Sequence, residues 1–468
     1  MKKNNFFFYL GCFIFCFLTV SKSQNNIVLE YNQFIELVKS QHPLAKKALN
    51  ISAIGQKQQQ SALGNFDPSV NFNFENKYSN KINYYSNANG EIKQGIFTGQ
   101  SIKAGYELGQ GDFVDPQNKT SSNGLAYLGV EFSVLQGLVI DKRRYEVLKS
   151  KQYNTLLQNE SAILFNDLLF SATESYIDWL HDYTLVSINK RYTEIAELRF
   201  KGLIELSRVG ERPFIDTVES GILMQTRLID YSSSKIELNK TLYYLNNFRW
   251  LDDVNLKDQT LIPTISLNQL EENCLKTFLK IKNNTNSQNP SLSYYSNKSK
   301  LLMLEKKYKA ELIKPKLDLR YNALNIGSGS SVYYTNNYKW GVGFSMPLFL
   351  RTSINDYKIA GLQLKNNQFE FENKNAELNN KILAATKNVL EIAEQIQTSK
   401  RNLQFTRLLL DAEKVKFENN ESSLFLLNTR ESKVLDSEIK LIELQSKFIH
   451  NYLVYCYLIG DLQFNIEN

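Results

Sequence analysis

Histidine is scarce in this chain: His42, His181 and His450 are the only three among 468 residues, and each stands alone. Cysteine is nearly as rare, and Cys12, Cys16, Cys274 and Cys456 form no CxxC pair. A structural zinc site or a histidine-based triad is therefore disfavoured. Beyond residue 20 no run of 18 uncharged apolar residues occurs, so no helix is expected to span a bilayer. Proline is the most telling scarcity. Of 8 prolines, none lies between Pro116 and Pro213 and none follows Pro347. Two long tracts thus carry no proline to break a helix, where a compact α/β enzyme would place turn signals every 10–20 residues or so. What is present is ordinary: 22% charged and 43% apolar residues, which argues against long disorder.

The N-terminus reads as a leader. Lys2 and Lys3 precede an apolar run from Phe6 to Val20, and Ser21-Lys22-Ser23 offers small residues before a cut at Gln24. Residues 1–23 are therefore expected to be a signal peptide, with Cys12 and Cys16 inside its apolar run and no convincing lipobox. Removing Lys2, Lys3 and Lys22 lowers the net charge from +7 to about +4, which gives no reason to invoke nucleic acid. Cys274 and Cys456 then sit in an oxidising compartment, where they either pair or pack as small apolar groups.

The chain repeats itself. Pro43 and Pro68 are 25 residues apart, and so are Pro290 and Pro315, shifted by 247. Each second proline opens an alternating segment: Val70, Phe72 and Phe74 in one case, Leu317, Leu319 and Tyr321 in the other. Downstream, Gly129-Val-Glu-Phe-Ser-Val-Leu135 resembles Gly341-Val-Gly-Phe-Ser-Met-Pro347 at an offset of 212. The first repeat thus holds about 35 extra residues, within an Asn-, Gly- and Tyr-rich stretch. The expected division is a first repeat over 24–263 and a second over 264–468. The first has strands at about 68–76 and 125–135, an extra segment at 78–124, and helices at about 140–209 and 213–247. The second has strands at about 315–325 and 338–349 and helices at about 354–418 and 423–458.

Period-2 alternation gives each strand one apolar and one polar face. A half-buried soluble sheet has that pattern, and so does a barrel strand facing lipid on one side and water on the other. Four strands are too few to close a membrane barrel, whose minimum is about eight, so transmembrane strands would have to be pooled between subunits. In the helical tracts, Val389, Ile392, Ile396, Ser399, Leu403, Thr406 and Leu410 follow 3-4 spacing, as do Leu435, Ile439, Ile442, Ser446, Ile449, Leu453 and Cys456. A helix of about 65 residues is roughly 100 Å long and must pack along partners of similar length. The breaks at 209–213 and 418–423 read as tips of antiparallel hairpins.

This order, given twice, resembles the TolC-like outer membrane efflux protein family. The resemblance covers nearly the whole chain. It rests on Tyr31-Asn-Gln-Phe-Ile-Glu-Leu-Val38 leading to His42-Pro43, its echo Leu267-Asn-Gln-Leu270 leading to Asn289-Pro290, Phe344-Ser-Met-Pro-Leu-Phe349, and the tips 212–219 and 421–431. It implies a mostly α fold with a membrane β-barrel portion: a homotrimer with a 12-stranded β-barrel in the outer membrane, on an α-helical barrel that crosses the periplasm. It further implies a passive exit duct for efflux or type I-like secretion, coupled to an inner-membrane pump through a periplasmic adaptor. Such a duct needs no cofactor or metal and performs no enzymatic reaction.

The resemblance also points to residues near the start of the helix after each tip as lining of the periplasmic entrance. Asp216 and Glu219 are the first-repeat positions; Phe425 and Asn428 are the second-repeat ones, with Arg430 and Glu431 just beyond. The second-repeat carboxylates are absent at that register, so an apolar or mixed constriction is implied. Two readings of Asp216 and Glu219 stand side by side: a cation-concentrating ring, or acidic residues that merely suit a helix N-terminus. Elsewhere, Gly109 and Gly111 give a GxG, but Val114 stands where a phosphate-cradling motif needs glycine, so 105–124 reads as an extended loop or extra hairpin at the extracellular rim. Arg143-Arg144 read as a solvated pair or as contacts to head groups or carboxylates. A periplasmic coiled-coil adaptor, which would show one hairpin, and a structural coiled coil without a pore are the competing readings.

Overall fold

The computed structural model describes residues 26–250, 260–282, 289–325 and 337–460. The leader read from residues 1–23 lies outside them. In chain order the elements are β1 (Asn26–Leu29), α1 (Tyr31–Gln41), α2 (Pro43–Leu63), β2 (Ser69–Ser79), β3 (Ile82–Gly95), β4 (Ser101–Gln110), β5 (Leu125–Ser133), α3 (Lys142–Arg208) and α4 (Phe214–Arg249). They continue as β6 (Thr260–Pro263), α5 (Leu267–Ile281), α6 (Pro290–Glu311), β7 (Lys316–Asn325), β8 (Tyr338–Ser345), α7 (Arg351–Glu418) and α8 (Leu424–Ile459).

The proline-free tracts form α3 and α7, of 67 and 68 residues, each roughly 100 Å long at 1.5 Å per residue. No single neighbour matches that length. Two shorter helices lie end to end along each: α2 with 21 residues and α4 with 36 along α3, α6 with 22 and α8 with 36 along α7. On α3 the seam is visible at Asn154 Nδ2, which donates to Gln59 of α2 at 2.9 Å, and at Thr193 Oγ1, which donates to the Arg227 carbonyl of α4 at 3.0 Å.

The joints between the stacked helices explain the two X-Pro motifs. Proline starts α2 and α6 at N1, where a missing N–H costs nothing. The residue before it caps the helix: His42 Nδ1 accepts from the Leu44 amide at 3.2 Å, and Asn289 Oδ1 from the Ser291 amide at 2.8 Å. Asn289 Nδ2 also donates to the Leu458 carbonyl at the end of α8 (2.9 Å), and His42 hydrogen-bonds the Asn247 backbone at the end of α4 while stacking on Phe248. Each cap therefore holds the start of one stacked helix to the end of the other.

Around these joints lies the main core. Here α1 packs on α3 and α4, and α5 chiefly on α8, beside the small parallel sheet β1–β6, in a core that buries Phe34, Tyr176, Trp179, Phe278, Ile396 and Phe448. Val389, Ile392, Ile396, Leu403 and Leu410 of α7 are buried, as the 3-4 spacing requires, and so are Leu435, Ser446, Ile449, Leu453 and Cys456 of α8. Cys274 and Cys456 belong to this core as buried thiols without a disulfide, and burial pushes the Cys274 thiol well above its usual pKa.

The strands corresponding to the four alternating segments meet in one antiparallel sheet, but four is not the count. The order is β2-β3-β4-β5-β7-β8, because the extra segment between β2 and β5 forms two further full strands. Where four strands per chain were expected, the sheet of this chain has six. The reason is compositional: β3 carries Ala88 and Gly90 opposite Phe74 and Phe72 of β2, so its apolar alternation is faint.

The sheet sits where α3 and α7 begin, and the hairpin tips lie where they end, at opposite extremes of the long helices. Its polarity is inverted relative to a soluble sheet. Register places Val70, Ile92, Ala104, Leu128, Ala323 and Tyr338 in one row across all six strands. The next row, on the opposite face, is Ser69, Lys93, Lys103, Gly129, Asn322 and Lys339. It is the apolar face that is exposed, with Phe72 at 71% and Trp340 at 67%. The polar face is the more enclosed and carries ion pairs, such as Lys93 to Glu131 at 2.7 Å and Arg320 to Glu131 at 3.7 Å.

The His42 joint generates a pH prediction. Burial holds the imidazole below its ordinary 6.5, so the folded state binds the proton less readily than the unfolded chain. This contribution is present above that pH and is lost as pH falls. His42→Asn, which copies the Asn289 cap, is expected to stay within about 0.5 kcal/mol at pH 8 and to be less sensitive to acid, whereas His42→Ala costs about 1 kcal/mol. Thermal unfolding between pH 8 and pH 5 checks both.

Candidate functional site: the hairpin tips

Both hairpins turn in the same way. The amide of Glu211 reaches back to the Leu206 carbonyl at 2.9 Å, and that of Gly210 to Ser207 at 3.2 Å. In the second tip, Glu421 reaches Lys416 at 2.8 Å and Asn420 reaches Phe417 at 3.1 Å. Each is a Schellman ending, which requires a left-handed residue. Gly210 at φ 78° and Asn420 at φ 57° supply it, glycine because it has no Cβ and asparagine because it tolerates this region best among the rest. The two tips touch through Arg212, whose guanidinium lies 4.4 Å from the Phe417 ring centre.

Above the tips a polar network joins all four helices. Arg199 of α3 donates to Asn428 Oδ1 of α8 at 2.9 Å and pairs with Glu431, while Asn428 Nδ2 donates to Glu219 of α4 at 3.0 Å. Arg227 of α4 donates to Ser432 at 2.7 Å. Farther from the tip, Glu438 of α8 accepts from Arg407 of α7 at 2.6 Å and also pairs with Arg191 of α3. Tyr192 beside it is pushed up to about 12, by burial first and then by the Glu438 charge, so its phenol stays neutral. Arg430 faces Glu413 of α7 at 3.8 Å.

This arrangement divides the six residues named from sequence. Glu219, Asn428 and Glu431 are held in the network, and Arg430 is held against Glu413. Phe425 is exposed and Asp216 partly so, in the first turns of α8 and α4. A groove of about 610 Å³ between these helices is lined by Glu219, Ile222, Phe425, Asn428 and Asp436. The sequence reading missed the basic partners Arg191, Arg199, Arg227 and Arg407. A signal was available: Arg191 and Arg199 are eight residues apart on α3, and Glu431 and Glu438 seven apart on antiparallel α8, a matching spacing of opposite charges. Among the described residues no cluster of three or more His, Cys, Asp or Glu is arranged to hold a metal.

One further feature of the long helices concerns the surface. Ile215, Ile222, Ile229, Ile236 and Tyr243 of α4 recur every seven residues and all are exposed, each at 63–66%. On α7, Leu362, Phe369, Leu383, Phe405 and Leu408 are likewise exposed. A heptad stripe is a seam for another helix.

Neither a protein-family model nor a curated protein matches the sequence. Solved structures do match the fold. The Campylobacter jejuni CmeC outer membrane channel superposes with a TM-score of 0.64 at 13% identity, over 92% of this chain and 85% of that one. The chain has the fold of a TolC-like outer membrane channel. Vibrio cholerae VceC, an outer membrane protein, gives 0.63 at 10% identity over 92% and 95% of the two chains. The open state of the Neisseria gonorrhoeae MtrE outer membrane channel gives 0.63 at 11% over 93% and 90%. At such identities the likeness is one of TolC-like fold.

The tip network carries a prediction. Arg199→Met leaves Glu431 buried without its cation, and is expected to destabilise the tip by about 3–5 kcal/mol. Hydrogen exchange should quicken at the tip ends of α3 and α8 and remain slow around Trp179. The double variant Arg199→Met with Glu431→Leu should recover most of the loss.

Proposed function

We propose that the chain is one protomer of a trimeric outer membrane exit duct for efflux or secretion. The observation that carries this is the inverted sheet, with its exposed apolar face and its ion-paired polar face. That polarity suits a wall with hydrocarbon outside and water inside. Strands β2 and β8 are paired on one side only, so closure needs neighbours. The heptad stripe of α4 and the exposed apolar residues of α7 suit the same neighbours, as helices of adjacent protomers closing a second barrel below the first.

Nothing in this reading asks the chain to supply energy. A pump in the inner membrane, joined through a periplasmic adaptor, would drive cargo through it, and the tips would receive that adaptor. Asp216 and Phe425 are the positions left to line the entrance, while Glu219, Asn428 and Glu431 brace the hairpins behind them. The leader, residues 1–23, would deliver the chain for export, and the recurring element order reflects a duplicated unit spanning 24–263 and 264–468.

Purified protein should fractionate with outer membranes, migrate as a heat-dissociable trimer and give discrete single-channel steps in planar bilayers. A monomer in the soluble fraction that gives no conductance after reconstitution would refute the duct. In the same bilayers, Asp216→Asn should reduce the preference for cations, read as a smaller reversal potential under a salt gradient.

A further inference from the structure

Among the described residues the β3–β4 hairpin has no counterpart in the second half of the chain, where β7 and β8 are the strands in the sheet. An extra hairpin can hang off the rim of a barrel or be built into its wall. The geometry points to the wall: we infer that six strands from each of three protomers close an 18-stranded barrel. This rests on the duct reading above.

Hydrogen bonding is the first argument. β2 pairs with β3, β3 with β4 and β4 with β5, along ten or more registered positions for the first two pairs, and β2 does not touch β5 within the sheet. Removing the hairpin from the wall would break the sheet in two.

The face pattern is the second. Ile92 of β3 and Ile102, Ala104 and Tyr106 of β4 are exposed on the same face as Phe72 and Leu128. Asn89, Glu91, Lys93, Lys103 and Glu107 lie on the enclosed face. The inserted strands therefore keep the polarity of the strands that flank them, which a dangling rim hairpin has no reason to do.

The third argument is how the hairpin is fixed on the polar face. Tyr127 of β5 lies flat across Gly105 of β4 and donates to Glu91 of β3 at 2.8 Å. A Cβ at Gly105 would stand 2.4 Å from that ring, so only glycine lets the tyrosine cross. Lys93 makes a second crossing from β3 to Glu131 of β5. At the helical end, Arg143 Nη1 donates to Ser101 at 3.1 Å and packs on Gly95, and Arg144 packs on Gly99 in the β3–β4 turn. Both arginines also pair with the Asp141 carboxylate, at 3.3 and 3.0 Å, and from that anchor they clamp the inserted hairpin.

Topology completes the case. A hairpin adds two strands, so β2 and β8 still run in opposite directions and β8 of one protomer meets β2 of the next antiparallel. Diameter scales about linearly with strand number, so this wall is about 1.5 times wider than a 12-stranded one.

The test labels single cysteines in the full chain with a nitroxide, in reconstituted trimers, with the unsubstituted protein as control for Cys274 and Cys456. Collisions are measured with oxygen, which concentrates in hydrocarbon, and with a water-soluble nickel chelate. Ile92→Cys and Ala104→Cys should give an oxygen-to-nickel ratio several-fold above that of Asn89→Cys and Glu107→Cys. A cross-section of the trimer by cryo-electron microscopy should show eighteen strands. Conducting trimers with twelve strands, or with all four labels open to nickel, would overturn the inference and leave the duct standing. Loss of trimer and conductance in the unsubstituted protein would instead bring down the duct itself.

Discussion

Length is the constraint to which the rest of the molecule answers. A helix of about 100 Å cannot be buried in a globular core, so its apolar stripes must be matched over their whole length. Within the chain this is done by stacking two shorter helices on each long one, and the stacking creates joints that need their own chemistry. His42 and Asn289 supply it, each capping one helix and holding the end of the next. What the chain does not cover, the α4 stripe at Ile222, Ile229 and Ile236, remains on the surface.

The charged network between the hairpins follows from the same geometry. Near the tips only four helices are present, and the waist elements α1, α5 and the β1–β6 sheet no longer contribute. The apolar material thins to Leu403, Leu410, Leu427 and Val434 between α7 and α8. Between α3 and α8 the small cluster of Ile188, Tyr192 and Leu435 is joined by Arg199, Glu431, Arg191 and Glu438, whose partners fix register because a slipped carboxylate would lie buried and unmatched.

How much was legible in the sequence depended on the strength of each local signal. The proline-free tracts and 3-4 spacing led to α3, α7 and the buried positions Val389, Ile392 and Ile396 because periodicity persists over many turns. The tips were legible through Gly210-Glu-Arg-Pro213 and Glu418-Asn-Asn-Glu421 because a left-handed residue leaves a compositional mark. β3 was not, since a strand that faces Phe72 and Phe74 with Gly90 and Ala88 has little alternation to read. Nor were the α3–α8 ion pairs, which join residues more than 200 positions apart, such as Arg199 with the candidate entrance residue Glu431. The TolC-like fold emerged from the order of elements, which survives where individual residues do not.

The bare borders of β2 and β8 set a schedule on biogenesis. A lone protomer presents two unsatisfied backbone ladders together with an oily sheet surface, the combination that seeds indiscriminate pairing. On the proposed duct reading its remedy is another copy of itself, so productive assembly competes with off-pathway clumping for the same exposed edges. Holding back strand formation until copies meet at the bilayer would be the simplest way to win that competition.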